Sequence, residues 1–299
     1  MNQIAFKMAD LDFSEEVTVT SNDELGSMAV SLNRLSKNLR TSLTELKNAN
    51  EQLQLDIEKE KDREIIRKEF VASVSHELKT PLGIIKGFAE GVKDNIAENK
   101  KEHYINVILD EIEKMDELVL DLLDLAKLES NAYKPDMEDF NITDLVNDVE
   151  TRLINRIYEK KIRLKHEYEG KNFKVCGDLR RIEQVVMNIM NNAIKHTNHE
   201  GDIKIGIKEQ KNVVYISIEN SGSHIREEDL KRIWERFYRA EKSRDRKTGG
   251  TGLGLSIVKN ILEIHVSRFG AENTEDGVSF YFTLEKALDV YYCANIDWI

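Results

Sequence analysis

The sequence lacks the features that mark several classes of protein. No run approaches the roughly 18 apolar residues that a membrane-spanning helix needs, so no bilayer-spanning segment is predicted. Cys176 and Cys293 lie far apart without a CxxC spacing, which predicts neither a zinc site nor a disulfide framework. A basic excess is also absent: the net charge is −11, which argues against a nucleic-acid-binding protein. Only two prolines and 7% aromatics, against 33% charged residues, favour long exposed helices over an all-β fold.

The chain begins with a predicted short helix, a connector over residues 10–21 and a second helix from about Asp23. A seven-residue repeat follows over residues 39–57. The repeat steps by four and three, the spacing of a coiled-coil seam. Its polar member stands at an a position, where asparagine typically fixes the register of a parallel dimer. The members are Leu39, Leu43, Leu46, Asn50, Leu53 and Ile57. The pattern predicts a dimeric coiled coil; an ordinary amphipathic helix is the alternative.

A helical hairpin is predicted over residues 51–132. The first helix resumes its apolar stripe at Ile66 and continues through Pro81, where a kink is expected because proline lacks an N–H donor. A polar stretch over residues 95–102 allows the chain to reverse into a second amphipathic helix over about 105–126. One hairpin cannot bury stripes of this width, whereas two can form a four-helix bundle, which predicts a dimer.

The pattern changes after about residue 131. Helices are predicted over 141–160, 178–197 and about 252–265, and strands over 162–169, 202–209, 212–219 and 277–284. Helices grouped with strand pairs predict an α+β sandwich, with the helices on one face of a mixed sheet. The fold class is therefore multidomain: a helical hairpin and coiled coil followed by an α+β sandwich.

The first chemical motif is centred on His76. An unprotonated imidazole has one ring nitrogen available as a nucleophile, and Glu77 could hold the proton of the other nitrogen. Thr80 lies one helical turn after His76 on the same face and could orient a water molecule. A surface histidine on a charged helix is the alternative interpretation.

The second motif combines Asn188, Asn192 and Lys195 on one predicted helix. The two asparagines are spaced i, i+4 and share a face, so their amide oxygens could bind Mg²⁺ together with phosphate oxygens. Lys195 could neutralise phosphate charge. Polar residues on a solvated helix face are the alternative.

The third motif is a pair of glycine-containing segments. Residues 220–225 follow a strand, and residues 248–255 open a helix, where backbone N–H groups can approach phosphates. The second segment is neither GxGxxG nor a P-loop. A charged stretch between the two segments predicts a mobile lid, with Arg239 and Arg244 as phosphate contacts. A flexible loop before a helix is the alternative.

Together these motifs resemble those of the sensor histidine kinases. Residues 76–82 resemble the family's H-box, and residues 188–197 resemble its N-box. Residues 220–225, 237–239 and 250–255 resemble the G1, F and G2 boxes, in the family's order and at about its spacing. Residues 1–50 are similar to the latter part of a HAMP signal relay. The resemblance covers the chain except residues 287–299, and the G1 segment is loosely similar to that of the vancomycin-resistance type of sensor kinase.

The resemblance implies four regions and a role for each motif. The regions are a partial HAMP-like relay over 1–50, a dimerisation and phosphotransfer hairpin over 51–132, a catalytic ATP-binding domain over 133–286 and a tail over 287–299. His76 is implied as phosphoacceptor, Glu77 as its acid/base helper and Thr80 in dephosphorylation. Asn188 and Asn192 are implied at Mg²⁺. The remaining residues implied at ATP are Lys195, Asn220, Gly222, Phe237, Arg239, Arg244, Gly250, Gly252 and Gly254.

Two positions depart from the family's G1 pattern. Asn220 stands where an aspartate usually accepts a hydrogen bond from the adenine amino group; its amide oxygen can still accept, but its nitrogen cannot. His224 stands where the second glycine usually lies, so we expect histidine to tolerate a left-handed backbone there.

The resemblance implies Mg²⁺ and ATP-dependent autophosphorylation of His76, transfer to an aspartate of a response regulator, and phosphatase activity. The implied partners are a second copy of the chain and a response regulator, without nucleic acid. A dimeric scaffold or phosphatase-dominant relay with weak nucleotide binding is the alternative, which Asn220 favours. The short segment before the connector predicts a cytoplasmic fragment of a kinase anchored in the bacterial membrane, with a naturally soluble kinase as the alternative.

Overall fold

A computed structural model describes residues 2–21, 23–94, 100–130, 133–239 and 251–287. It divides into two compact units, Met1–Ala72 and Ser73–Ile299. Within the described residues, no helix has both the length and the apolar character needed to cross a membrane.

The first unit contains helix α1 (Asn2–Ala9), a connector and the start of helix α2 (Glu24–Lys93). Asp23 caps α2, because its carboxylate accepts from the backbone N–H of Leu25 at 3.0 Å. The side-chain amide of Asn33 exchanges two hydrogen bonds with the backbone of Val17, at 2.8 and 2.9 Å. These bonds fasten the connector to α2, and the predicted order of short helix, connector and long helix is confirmed.

The heptad leucines of α2 are 40–67% exposed in the single chain. The helix continues through the charged stretch after Ile57, where the apolar seam ends. Lys47 and Glu51 lie 4.0 Å apart, and Glu64 and Lys68 lie 2.9 Å apart, both as i, i+4 pairs. Each such pair adds only about 0.2–0.5 kcal/mol of helix stability. The helix also passes through Pro81; the kink expected there stays a prediction.

In the second unit, α2 is followed by helix α3 (Lys101–Leu128). The rings of Phe88 and Tyr104 meet edge to face, with centroids 5.1 Å apart, so the two helices contact each other near the turn. Leu118, Leu125 and Leu128 of α3 are buried. The opposite side of α3 leaves a second apolar set exposed: Ile105, Leu109, Ile112, Val119, Leu120 and Leu123.

The rest of the second unit is an α+β sandwich, which confirms the predicted fold class. The elements are β1 (Met137–Asn141), α4 (Ile142–Glu159), β2 (Arg163–Glu169), β3 (Lys174–Asp178), α5 (Leu179–His196), β4 (Asp202–Glu209), β5 (Val213–Ser221), α6 (Gly254–Ile264), β6 (Phe269–Asn273) and β7 (Gly277–Glu285). The strand order is β2-β4-β5-β7-β6; β2 pairs parallel to β4 and the other pairs are antiparallel. Alternate residues of β4 are buried on one face of this mixed sheet, and α5 contributes a continuous buried stripe.

Three strands were not predicted. β1 and β3 form a separate antiparallel pair, and β6 is an edge strand of the main sheet. Each has only five residues, too short for an alternating pattern to stand out. Cys176 of β3 is disulfide-bonded, although the spacing of the cysteines predicted no disulfide framework.

Candidate active site

His76 lies on α2 with its side chain 75% exposed. Its Nδ1 is 3.7 Å from Oε1 of Glu77, longer than a hydrogen bond, as expected for neighbours that point about 100° apart on a helix. The Thr80 hydroxyl donates to the His76 carbonyl at 3.3 Å. The structure therefore places an accessible imidazole beside a carboxylate, with the threonine one turn along.

Helix α5 carries the asparagine motif and is held at both ends. The Asp178 side chain caps its start by accepting from the backbone N–H of Arg181 at 3.1 Å. At its end, the Lys160 ammonium donates to the carbonyls of Ile194, Lys195 and Thr197 at 2.8, 2.9 and 3.2 Å. Lys160 was not predicted from the sequence, because a lysine at the end of a predicted helix carries no sign that it binds the terminus of another helix.

The first asparagine of α5 meets the glycine loop. Nδ2 of Asn188 donates to the carbonyl of Gly254, the first residue of α6, at 3.2 Å. A side-chain carbon at Gly254 would lie 3.8 Å from the Asn188 amide carbon, which is ordinary contact. Asn192 lies one turn further along α5. Because the Asn188 nitrogen already donates to Gly254, the Asn188 amide oxygen is the atom left to act as a hydrogen-bond acceptor or metal ligand.

Asn220 lies near the end of β5 and is 2% exposed. Its Nδ2 donates to the Ser221 carbonyl at 3.4 Å. Among the described residues, its amide oxygen has no hydrogen-bond partner. Within the described ranges no fully buried side-chain nitrogen or oxygen lacks a partner, so this unpaired oxygen is open to a ligand and can accept a hydrogen bond such as that of the adenine amino group.

Gly222 joins this strand end to α5. It forms an isolated antiparallel bridge with Thr197, and its φ is +148°. A side-chain carbon there would lie 2.5 Å from the carbonyl oxygen of His196, so only glycine fits. His224, by contrast, does not have a positive φ, which corrects the expectation of a left-handed histidine. The positive φ in this turn belongs to Gly222, two residues earlier. Nε2 of His224 lies 2.7 Å from the carbonyl oxygen of Thr274.

The F-box and G2 segments meet at a second close approach. The backbone N–H of Phe237, which has φ +60°, donates to the Gly252 carbonyl at 3.0 Å. Gly252 itself has φ +72° and faces the Phe237 backbone. Thr251 Oγ1 accepts from the backbone N–H of Leu253 at 3.2 Å and donates to Asp121 of α3 at 2.7 Å. The start of α6 is therefore held by α3, α5 and the F-box together.

Positive charge concentrates at the end of α5. Burial, and then the charge of Arg239, lowers the pKa of Lys195. Although the His196 side chain is partly exposed, burial and the cations Lys195, Lys160 and Arg239 lower its pKa to about 4. A group of cations that repel one another is suited to bind a polyanion such as a triphosphate.

The structure thus brings most of the predicted nucleotide residues together. Contacts link Asn188 with Gly254 and Phe237 with Gly252, while Gly222 adjoins Asn220. Arg244 and Gly250 lie outside the described residues.

Helix α3 also contacts the start of α5. The Asp124 carboxylate accepts from Arg181 Nη1 and from Gln184 Nε2, both at 2.6 Å. The Arg181 guanidinium also donates to the hydroxyl of Tyr133 at 3.0 Å. Further along, Glu129 pairs with Arg236. None of these contacts was predicted from the sequence.

Three family models match the chain. The HAMP domain matches residues 2–41, the His Kinase A phospho-acceptor domain matches residues 66–131, and the histidine kinase-, DNA gyrase B- and HSP90-like ATPase matches residues 177–288. The ATPase match implies ATP binding.

Proteins similar to this chain carry the names of histidine kinases. Sensor histidine kinase WalK of Bacillus subtilis is 33% identical over 77% of this chain and 38% of its own length. Sensor histidine kinase YclK of the same organism is 34% identical over 87% of this chain and 52% of its own. The chain therefore spans about half or less of the length of these relatives.

A solved structure supports the same assignment. It is histidine kinase ThkA in complex with response regulator protein TrrA, 30% identical over 76% of this chain and 64% of that chain, with a TM-score of 0.62. With three matching domains in the expected order and relatives of one kind, the chain belongs to the sensor histidine kinases.

Proposed function

We propose that this chain is an ATP-dependent protein-histidine kinase that phosphorylates His76. One nitrogen of the imidazole attacks the γ-phosphorus of ATP, the bond to the β-phosphate oxygen breaks, and ADP leaves. The observation that supports this most is the meeting of α5, the F-box and the G2 loop through Asn188, Phe237 and Gly252, in a chain that also presents an exposed histidine.

The adenine is assigned to the buried end of β5. Asn220 accepts from the adenine amino group through its unused amide oxygen, and Gly222 lets the backbone turn beside it. Because the amide is neutral, we expect a weaker bond than a carboxylate would give.

The phosphates are assigned to the cations and to the start of α6. Lys195 and Arg239 neutralise their charge, and the backbone N–H groups of the first turn of α6, from Gly254 onward, receive phosphate oxygens at the helix N-terminus. Arg244 and Gly250, outside the described residues, are proposed to complete this set.

A magnesium ion is assigned to Asn188 and Asn192. Their amide oxygens are hard, neutral ligands, and the nitrogen of Asn188 is already engaged by Gly254. When bound, Mg²⁺ neutralises phosphate charge and orients the triphosphate.

The roles of Glu77 and Thr80 follow from their positions beside His76. Glu77 accepts the imidazole proton after a small side-chain movement closes the 3.7 Å gap. Thr80, whose hydroxyl now bonds to the backbone, turns to hold a water for hydrolysis of phosphohistidine.

The phosphoryl group is then passed to an aspartate of a response regulator, and the chain also dephosphorylates that partner. Support for the partner comes from the ThkA structure, which contains a response regulator. A homodimer is proposed because α2 and α3 both leave apolar stripes exposed in the single chain. Sedimentation of a fully helical monomer at micromolar concentration would contradict the dimer. Anchoring of a longer protein in the bacterial membrane stays a prediction.

Labelling with γ-labelled ATP and Mg²⁺ tests the proposed activity. Wild type should acquire acid-labile, base-stable label, and His76→Gln should lose it while still binding ATP. His199→Gln is the matched control, because this exposed histidine lies outside the site. Label retained in His76→Gln would refute the assignment. Wild type that never labels but dephosphorylates a phosphorylated response regulator would favour the phosphatase-dominant alternative.

A further inference from the structure

The segment before the F-box contains a buried carboxylate that the proposed chemistry does not use. Asp229 is 2% exposed and lies in an irregular stretch without helix or strand. Arg226 Nε donates to one oxygen of this carboxylate at 2.9 Å. The other oxygen accepts from the hydroxyl of Tyr238. A buried carboxylate placed on a loop, with both oxygens engaged, holds the two ends of that loop together.

The Tyr238 side chain is fixed from two directions. Its hydroxyl binds Asp229, and the Arg232 guanidinium lies over its ring, 4.4 Å from the centroid. A cation over an aromatic face is attractive. Backbone turns reinforce the arrangement: the N–H groups of Arg232 and Ile233 both donate to the Asp229 carbonyl, at 2.8 and 2.9 Å.

The residues on either side of Tyr238 are those assigned to ATP. Phe237 precedes it with φ +60°, a conformation that costs a bulky residue free energy and persists only where its surroundings enforce it. On its other side, Phe237 is held by the Gly252 carbonyl at 3.0 Å. Arg239 follows Tyr238 and lies close enough to Lys195 and His196 for its charge to act on both.

We propose that Asp229 and Tyr238 are positioning residues: their hydrogen bond holds Phe237 in its left-handed conformation and so aims Arg239 at the phosphates. This inference rests on the proposed function, because it needs ATP at the site. A purely structural role would stabilise the loop without acting through Arg239.

A double-mutant cycle separates the two roles. ATP affinity is measured for wild type, Tyr238→Phe, Arg239→Ala and the double variant. Tyr238→Phe removes only the hydroxyl, and loss of a hydrogen bond to a charged group should weaken ATP binding roughly tenfold. In the Arg239→Ala background the same change should have almost no further effect. Tyr215→Phe is the matched control, because this tyrosine stacks on Tyr281 across the sheet.

Each outcome of the cycle is decisive. Equal losses in both backgrounds, or no loss in either, would overturn the positioning role. Wild type that binds no ATP would overturn the proposed function and this inference with it. If Tyr238→Phe unfolds, Arg232→Gln takes its place, since that side chain is 56% exposed. It should weaken ATP binding by roughly threefold, again only when Arg239 is present.

Discussion

Gly252→Ala adds one methyl group at the point where the G2 loop meets the F-box. The new carbon would lie 3.0 Å from Cα and 3.2 Å from the carbonyl carbon of Phe237. Both are backbone atoms, so no side-chain rotation relieves the contact. The φ of +72° is also unfavourable for alanine.

Two costs add for this substitution. The left-handed conformation costs about 1–2 kcal/mol, and overpacking costs about 1–3 kcal/mol. The free energy of unfolding of the sandwich should therefore fall by about 2–5 kcal/mol. The loop can shift to relieve part of this cost, and ATP binding must then reverse the shift. If the relieved part is about 1.4 kcal/mol, the affinity for ATP falls about tenfold.

Denaturant unfolding followed by tryptophan fluorescence measures the stability, because Trp234 packs edge to face on Phe269 and Phe280. Gly87→Ala is the control: this glycine lies within α2 and a side-chain carbon there meets nothing within 4 Å. It should raise helix stability by about 0.5–1 kcal/mol. If Gly252→Ala unfolds at the wild-type denaturant concentration and binds ATP equally well, the close approach to Phe237 does not shape the site.

Three further predictions concern the site and its contacts. Asn220→Asp should tighten ATP binding and sharpen the preference over GTP, because a carboxylate only accepts and a charge-assisted bond is roughly twice as strong. Competition binding checks it, and unchanged affinities would move adenine elsewhere. Asn192→Ala should abolish autophosphorylation while circular dichroism stays native; wild-type rates would place Mg²⁺ on other ligands. Asp124→Asn should lower the protection of α3 amides from hydrogen exchange by about 1.5–3 kcal/mol, because Arg181 and Gln184 lose a shared carboxylate. Unchanged protection would show that this contact is not formed.

The hairpin of β4 and β5 was predictable because its alternation is strong. Ile203, Ile205 and Ile207 are fully buried, and Lys204 and Gly206 between them are not. The backbone N–H of Gln210 donates to the Val213 carbonyl at 2.9 Å, which closes the short turn between the two predicted strands. Periodicity reports burial directly, so such elements can be read from one sequence.

The tertiary contacts between distant elements have no comparable pattern in the sequence. Lys160 and Asp124 each bind groups far away in sequence, and their roles depend on a packing that no local pattern specifies. The error at His224 has a related cause. The family pattern suggested which positions bend, but the actual φ values assign the bend to Gly222.

The hydroxyl of Thr251 carries a single proton, which it donates to Asp121 across an oxygen–oxygen distance of 2.7 Å. Its oxygen meanwhile accepts from the Leu253 N–H, so the hydroxyl has no second proton to donate. Phosphate oxygens only accept, and therefore cannot bind this hydroxyl while Asp121 keeps the proton. A triphosphate that accepts a hydrogen bond from Thr251 must therefore break the bond between Thr251 and Asp121 of α3. The Thr251 hydroxyl would then donate to the nucleotide instead of to Asp121. Nucleotide binding would therefore remove one hydrogen bond from α3, the helix that follows the phosphoacceptor.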